Sequence, residues 1–160
     1  MPYTSMSVRT VAIAVLATLA ASTRADDWPQ WLGPQRDGLW RETGILGTFP
    51  ESGPTLRWRA DIGGGYAGPS VADGRVFVPD FIRDEDKPPV FLEHGAPNEN
   101  WQRARGAGTE RLLCLYEADG EVLWTFEHAV TYTHARLYAN GPRMTPHVDG
   151  DRVYFLGAEG

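Results

Sequence analysis

Two observations in the sequence predict an all-β protein. Its apolar residues come in short runs separated by turns rich in Gly, Asp and Pro, and one such pattern occurs twice. Beyond the first 25 residues, no stretch has the spacing of an amphipathic helix of normal length. With 42% apolar and 22% charged residues among 160, the composition is that of a folded globular protein and excludes a disordered chain.

The repeated pattern occurs at residues 69–78 and again at residues 146–155, and the two segments align without gaps. The matched residues include Val71 with Val148 and Arg75 with Arg152, and an aromatic residue follows each time. In each copy a short apolar strand meets an Asp and Gly turn and reverses into an alternating strand, which is typical of a tight β-hairpin. The repeat therefore predicts an antiparallel β-meander.

A second hairpin is predicted between the two copies. Residues 111–116 form its first strand, residues 117–120 its turn, and residues 121–126 its closing strand. The turn contains Asp and Gly, and the flanking segments are rich in strand-forming residues. The chain thus returns by a tight turn before the second copy begins.

The strands and turns follow one another in a repeating order, called here a cycle, and a tryptophan recurs at one point of each cycle. Trp124 lies in the closing strand of the second hairpin, and Trp58 lies in residues 56–59, which we predict to be the equivalent strand before the first copy. A large flat ring between twisted sheets buries around 200 Å² of surface and can still donate its N–H to a carbonyl. We therefore predict that both tryptophans pack between neighbouring sheets.

Four short strands per cycle are the signature of a β-propeller blade. The two copies are 77 residues apart, whereas a blade takes about 40–50 residues. We attribute the excess to residues 80–110, a Pro-, Gly- and charge-rich stretch, and interpret them as a long surface loop between two strands of the first blade. A loop of this length indicates a capping or binding role.

Residues 114–124 resemble the tryptophan-docking repeat of the PQQ-like (pyrroloquinoline-quinone-like) β-propellers. Cys114 stands at the small position of that repeat, Gly120 at the turn and Trp124 at the docking position, whereas Tyr116 replaces the usual Asp. The resemblance implies blades of four antiparallel strands in which the tryptophan stacks between neighbouring blades. It also implies that this blade lacks one turn hydrogen bond.

Residues 27–38 are similar to the start of secreted PQQ-like repeat proteins, so the resemblance covers most of residues 27–160. The family includes the outer-membrane assembly lipoprotein BamB and the quinoprotein alcohol dehydrogenases. It leaves two functions open, a non-catalytic scaffold or binding platform and a dehydrogenase dependent on PQQ and calcium. The family's enzymes pair adjacent cysteines over the quinone, and this chain has one cysteine. We therefore favour the scaffold and predict no catalytic, cofactor-binding or metal-binding residues.

Weaker constellations could bind metal ions. His128 and His134 could join Glu127 or His94, but their spacing matches no tight zinc motif, which favours separate surface histidines. The acidic residues 84–86 lack the alternating oxygen ligands of a calcium loop and are interpreted as a solvated charge run.

Residues 1–25 have the order of a secretory signal peptide. Arg9 precedes an apolar run at residues 11–21, and a short polar stretch then ends in Ala25. A helix over the apolar run is roughly 16 Å long, too short to cross a bilayer. The sequence therefore predicts export to the periplasm or the medium, with cleavage after Ala25 and no membrane span.

Charge and strand count bear on partners. The net charge is −6, with 14 arginines and a single lysine, Lys87, so no basic surface is available to attract nucleic acid. Protein partners in the cell envelope are expected instead.

Propellers close with at least four blades, so we expect residues 26–160 to be the N-terminal portion of a longer propeller, with open sheet edges when expressed alone.

Overall fold

A computed structural model describes residues 25–87, 90–92, 103–132 and 141–160. Within these ranges the protein is all-β, as predicted, with no helix and therefore none long and apolar enough to cross a membrane. The predicted signal peptide at residues 1–25 lies outside them except for Ala25. The strands are β1 (Ser70–Ala72), β2 (Arg75–Arg83), β3 (Val90–Leu92), β4 (Arg103–Tyr116), β5 (Val122–Tyr132), β6 (His147–Asp149) and β7 (Arg152–Tyr154).

All the strand pairs are antiparallel. The main sheet has the order β1–β2–β4–β5, and β3 pairs with the first three residues of β4. β6 and β7 form a separate two-stranded hairpin. The three predicted hairpins, at residues 70–77, 111–126 and 147–154, are therefore present.

The turns follow from their residues. Asp73 and Gly74 connect β1 to β2 with φ of +50° and +71°, the paired positive values that a two-residue hairpin loop requires and that Asp-Gly supplies. Between β4 and β5, the Gly120 N–H donates to the Tyr116 carbonyl at 2.8 Å and the Tyr116 N–H donates to the Glu121 carbonyl at 2.7 Å. These bonds set the register in which β5 returns along β4.

Two predicted elements differ from the structure. The ends of the expected loop at residues 80–110 are strand, because β2 continues to Arg83 and pairs with β4 as far as Gly108. The predicted strand at residues 56–59 is irregular backbone. Further along the chain, Gly64 forms an isolated bridge with Phe81. Trp58 is held through its side chain, so this segment needs no strand pairing to fix its position.

Both faces of the main sheet are covered over β1, β2 and β4, whereas most of β5 is exposed. One face, called here the hairpin face, carries the buried Ala72, Phe77, Leu112 and Cys114, against which Val148, Val153 and Phe155 of the β6–β7 region pack. The other, called the Trp58 face, carries Val76, Val78, Leu113 and Leu115, and Trp58, Ala60 and Val71 pack on it. Each fully buried Leu or Phe side chain contributes about 1.5–3 kcal/mol, so this layering provides the core.

Candidate functional site

The predicted repeat residues lie in two places. Trp58, Gly120 and Val71 belong to the Trp58 face or its adjoining turn. A cleft beside the hairpin face is lined by the other four, Trp124, Arg75, Val148 and Arg152. The structure thus does not join all seven into one site.

Trp58 is docked on the β4–β5 turn. Its indole Nε1–H donates to the Glu117 carbonyl at 2.8 Å. Gly120 has φ of +79°, and a Cβ there would lie 2.6 Å from the indole Cε3. Gly120 is therefore required twice, for the left-handed backbone and for the contact with the ring.

Gly120→Ala is expected to lower the free energy of unfolding by about 2–4 kcal/mol, because it adds overlap with Trp58 to the cost of an Ala at positive φ. Gly150→Ala is the matched control, since Gly150 has φ of +58° and open space where the Cβ would lie. Urea unfolding followed by tryptophan fluorescence measures both. Equal losses in the two variants would show that Trp58 makes no tight contact at this turn.

The cleft between the main sheet and the β6–β7 hairpin has a volume of about 540 Å³. Its apolar lining includes Val148, Val153 and the rings of Phe77 and Trp124, whose centroids are 6.0 Å apart. Trp124 is 40% exposed, so its indole borders the cleft instead of being enclosed like a core residue. An apolar floor with an accessible indole suits contact with an apolar or aromatic group.

Charges of both signs surround this floor. Arg75 and Arg152 occupy equivalent repeat positions and are exposed, and Asp73 and Asp151 lie beside them in the two hairpin turns. The Arg152 guanidinium is 3.8 Å from the Asp151 carboxylate, a solvent-screened pair of little energetic weight. The rim is therefore hydrated and can pair with polar groups of either sign.

The Trp58 face holds a buried carboxylate. Asp80 is 1% exposed and lies opposite Arg111 in the β2–β4 ladder. Arg111 donates Nε–H to Oδ1 at 2.8 Å and Nη2–H to Oδ2 at 2.5 Å, and the Gly63 N–H donates to Oδ2 at 2.6 Å. These side-chain hydrogen bonds raise the pKa of Arg111. Asp80 thus fastens the segment that contains Gly63 to the sheet.

The hairpin face holds the second buried carboxylate, Glu110, also 1% exposed. Its Oε1 accepts the Tyr132 hydroxyl at 2.6 Å and the Ala158 N–H at 2.9 Å. Its Oε2 lies 3.3 Å from His128 Nε2 and accepts no hydrogen bond within the described ranges. A Cβ on Gly157 would overlap that oxygen. Glu110 therefore holds residues 157–158 against the sheet.

Burial raises the pKa of two acidic groups. Desolvation, together with the hydrogen bond to Glu110, raises the pKa of Tyr132 far above its ordinary value. Desolvation likewise raises the pKa of the Cys114 thiol, which has no exposed surface. Both side chains are consequently neutral at physiological pH, and the thiol is not presented as a nucleophile.

These two pKa shifts predict alkaline destabilisation. Because the folded state raises both pKa values, the unfolded chain loses its protons first, and stability falls as the pH rises above about 9. Tyr132→Phe is expected to flatten the fall in unfolding free energy between pH 9 and 11, measured by urea titration, with Tyr116→Phe at an exposed position as control. An unchanged slope in Tyr132→Phe would contradict the assignment.

Asp80 and Glu110 were not among the predicted site residues, because both ends of residues 80–110 were interpreted as loop. The signal that could have found Asp80 is the register between β2 and β4, had the first and second predicted hairpins been placed side by side. Phe77 lies opposite Cys114, and continuing that ladder outward by three pairs brings Asp80 opposite Arg111. Glu110 gave no comparable signal, since its partners Tyr132 and Ala158 are distant in sequence.

Only parts of the weaker metal constellations lie among the described residues. Within the described part of the chain, no three His, Cys, Asp or Glu side chains are grouped to hold a metal ion. His128 faces Glu110, whereas Glu127 lies opposite Arg111 on the other face. Asp84 forms an exposed ion pair with Lys87 at 2.9 Å. His94 and His134 lie outside the described residues.

Comparison with known proteins gives no match: no family model, no curated protein and no solved structure is significantly similar to this chain.

Proposed function

We propose that the chain is an exported, non-catalytic scaffold or binding platform of the cell envelope, built from PQQ-like β-propeller blades. The observation that carries this proposal is the layering of the main sheet between segments that precede and follow it in sequence. In a propeller each blade is covered on both faces by its neighbours. The order β1–β2–β4–β5 matches the four antiparallel strands of one blade.

The positions of the two tryptophans support the proposal that the two copies of the repeat belong to equivalent blades. Trp58 packs on the cluster that contains Val76, next to Val71. Trp124 borders the cleft with Val148 and Val153, which are the repeat counterparts of those two valines. Each tryptophan therefore precedes the same pair of repeat positions in sequence and shares a cluster or a cleft with them, as we expect for successive blades.

The buried carboxylates support a structural role. A catalytic acid or base has to reach a substrate. Asp80 is engaged by Arg111 and the Gly63 amide, and Glu110 by Tyr132 and the Ala158 amide. Both groups join segments of chain. The cleft at Trp124 is accessible, and we propose that it contacts protein partners.

The quinoprotein alternative fits the residues poorly. In the resembling enzymes two adjacent cysteines contact the quinone, whereas Cys114 is the single cysteine of the sequence and lies in the sheet core beside Phe77 and Leu112. No PQQ or calcium site is therefore derived from these residues.

The experiment has two arms. The full chain is incubated with PQQ and Ca²⁺, and alcohol-dependent dye reduction is measured; no reduction above a protein-free control is expected, and turnover that needs both PQQ and Ca²⁺ would establish the dehydrogenase instead.

In cells, a photoreactive residue replaces Arg152 at the cleft or, as control, the exposed Arg36. Envelope-protein adducts are expected at position 152 only; equal or absent adducts would reject the cleft as the platform.

A further inference from the structure

The two edges of the main sheet differ. At one edge, Trp28 and Val71 exchange backbone hydrogen bonds of 2.8 and 3.0 Å, and Gly64 and Phe81 exchange bonds of 3.0 and 2.7 Å. At the other edge, β5 pairs with β4 on one side and with no other described strand. The segments that cover the first edge thus have no described counterpart along β5.

β5 lacks the features that usually protect an edge. Short length, Lys, Pro and bulges prevent edges from pairing with other chains. β5 has 11 residues, about 37 Å of strand, and contains no Lys, Arg or Pro. The register irregularity is confined to its start, opposite Cys114 and Leu115. From Thr125 to Tyr132 the edge is regular and able to pair.

The exposed side chains of β5 include a cluster of large apolar groups alongside the polar Thr125, Glu127 and Thr131. Phe126 is 54% exposed, and Val122, Leu123 and Trp124 are also exposed. Its one charged carboxylate, Glu127, lies opposite Arg111 of β4, and the two charges attract one another. The strand therefore brings little uncompensated charge to a partner, although the whole chain is acidic.

One antiparallel register of the strand with itself centres on an aromatic pair. With Phe126 on a two-fold axis, two phenylalanine rings meet, Trp124 lies opposite His128 of the second copy, and Thr125 lies opposite Glu127 of the second copy, where a hydroxyl can donate to a carboxylate. Moving the axis to Glu127 would oppose two carboxylates, and moving it to His128 would oppose two imidazoles. Cross-strand aromatic pairs are favourable and like charges are not.

We propose that the edge of β5, which pairs with no further strand in the described part of the chain, is a homodimer interface, in which β5 pairs antiparallel with β5 of a second copy and Phe126 lies on the two-fold axis. The two main sheets then form one continuous eight-stranded sheet. This inference does not depend on the proposed scaffold function or on propeller closure, because it rests on the sheet edge alone.

The register is tested by disulfide scanning on the full chain. Phe126→Cys, Glu127→Cys and His128→Cys are oxidised with copper phenanthroline. Opposed residues of an antiparallel pair bring Cβ atoms to within disulfide reach, and diagonal residues do not, so dimer formation is expected about tenfold faster at position 126 than at 127. Preferred cross-linking at 127 or 128, or none at all, would overturn the proposal. The parent chain is the blank, since Cys114 is buried.

The affinity is tested by sedimentation equilibrium of the unmodified chain. A monomer–dimer equilibrium is expected, and Phe126→Lys should weaken it at least about tenfold, because two ammonium groups would meet at the axis. Leu46→Lys is the control, at an exposed position outside β5, and should leave the equilibrium unchanged. A parent chain that stays monomeric, or equal effects of the two lysines, would reject the interface. Unchanged circular dichroism checks that both variants are folded.

Discussion

Asp80→Ala is expected to lower the free energy of unfolding by about 3–5 kcal/mol, the cost of removing one member of a buried ion pair. The change leaves the partly buried Arg111 guanidinium and the Gly63 N–H without their acceptor. Because Arg111 retains some contact with solvent, the loss should fall in the lower half of that range. Urea unfolding, followed by fluorescence and far-UV circular dichroism, measures it.

Asp84→Ala is the matched control for this result. Asp84 also pairs with a cation, Lys87 at 2.9 Å, but both groups are accessible to solvent, and no measurable change is expected. In the double variant Asp80→Leu with Arg111→Leu, most of the lost stability should return, because no unpaired buried charge remains. If Asp80→Ala behaves like Asp84→Ala, Asp80 does not fasten the Gly63 segment.

Glu110→Ala is expected to cost about 2–4 kcal/mol and to release the backbone at residues 157–158. The substitution removes the acceptor of both the Tyr132 hydroxyl and the Ala158 N–H, and each buried donor left unsatisfied costs about 1–3 kcal/mol. Loss of Oε2, which accepts no hydrogen bond from the described residues, offsets part of this cost. Hydrogen exchange at the Ala158 amide should accelerate well before the main sheet unfolds.

Two further variants test whether the contacts of the Glu110 carboxylate cause the loss of stability and the faster exchange at Ala158. Glu110→Gln keeps an oxygen for Tyr132 and Ala158 and should lose less stability than Glu110→Ala. Gly157→Ala leaves Glu110 intact but drives a methyl group into its Oε2, so it should also accelerate exchange at Ala158. Fast exchange in Glu110→Ala together with unchanged exchange in Gly157→Ala would contradict the close approach between residue 157 and the carboxylate.

The local elements of the fold could be predicted from the sequence because their signals are local. The Asp73-Gly74 turn and the β4–β5 turn ending in Gly120 are specified by adjacent residues. Comparison of two segments of the sequence matched Val71 with Val148, and each lies in the first strand of an antiparallel hairpin. Each such feature depends on the short-range geometry of a hairpin.

The buried position of Asp80 and the irregular segment at residues 56–59 could not be predicted, because both depend on contacts between residues distant in sequence. A Pro-Asp sequence at the end of an apolar strand gives no sign that Asp80 will be buried, and charged residues are rarely buried unless paired. The pairing appears only when Arg111, 31 residues later, is brought opposite. Likewise, residues 56–59 alternate like a strand, but the Trp58 side chain is bonded to Glu117, 59 residues away, and that bond fixes the segment without a ladder.

The pairing of β3 with the start of β4 has a consequence for how this protein can vary. Leu92 and Arg103 are direct cross-strand neighbours, so the connection from β3 to β4 begins and ends at adjacent points of the sheet. The paired strands already hold the two ends together, and lengthening a closed loop adds only about 0.6 kcal/mol for each doubling of its length. This position can therefore accept foreign peptides of very different size, which makes it the natural place to graft a new recognition element onto the scaffold.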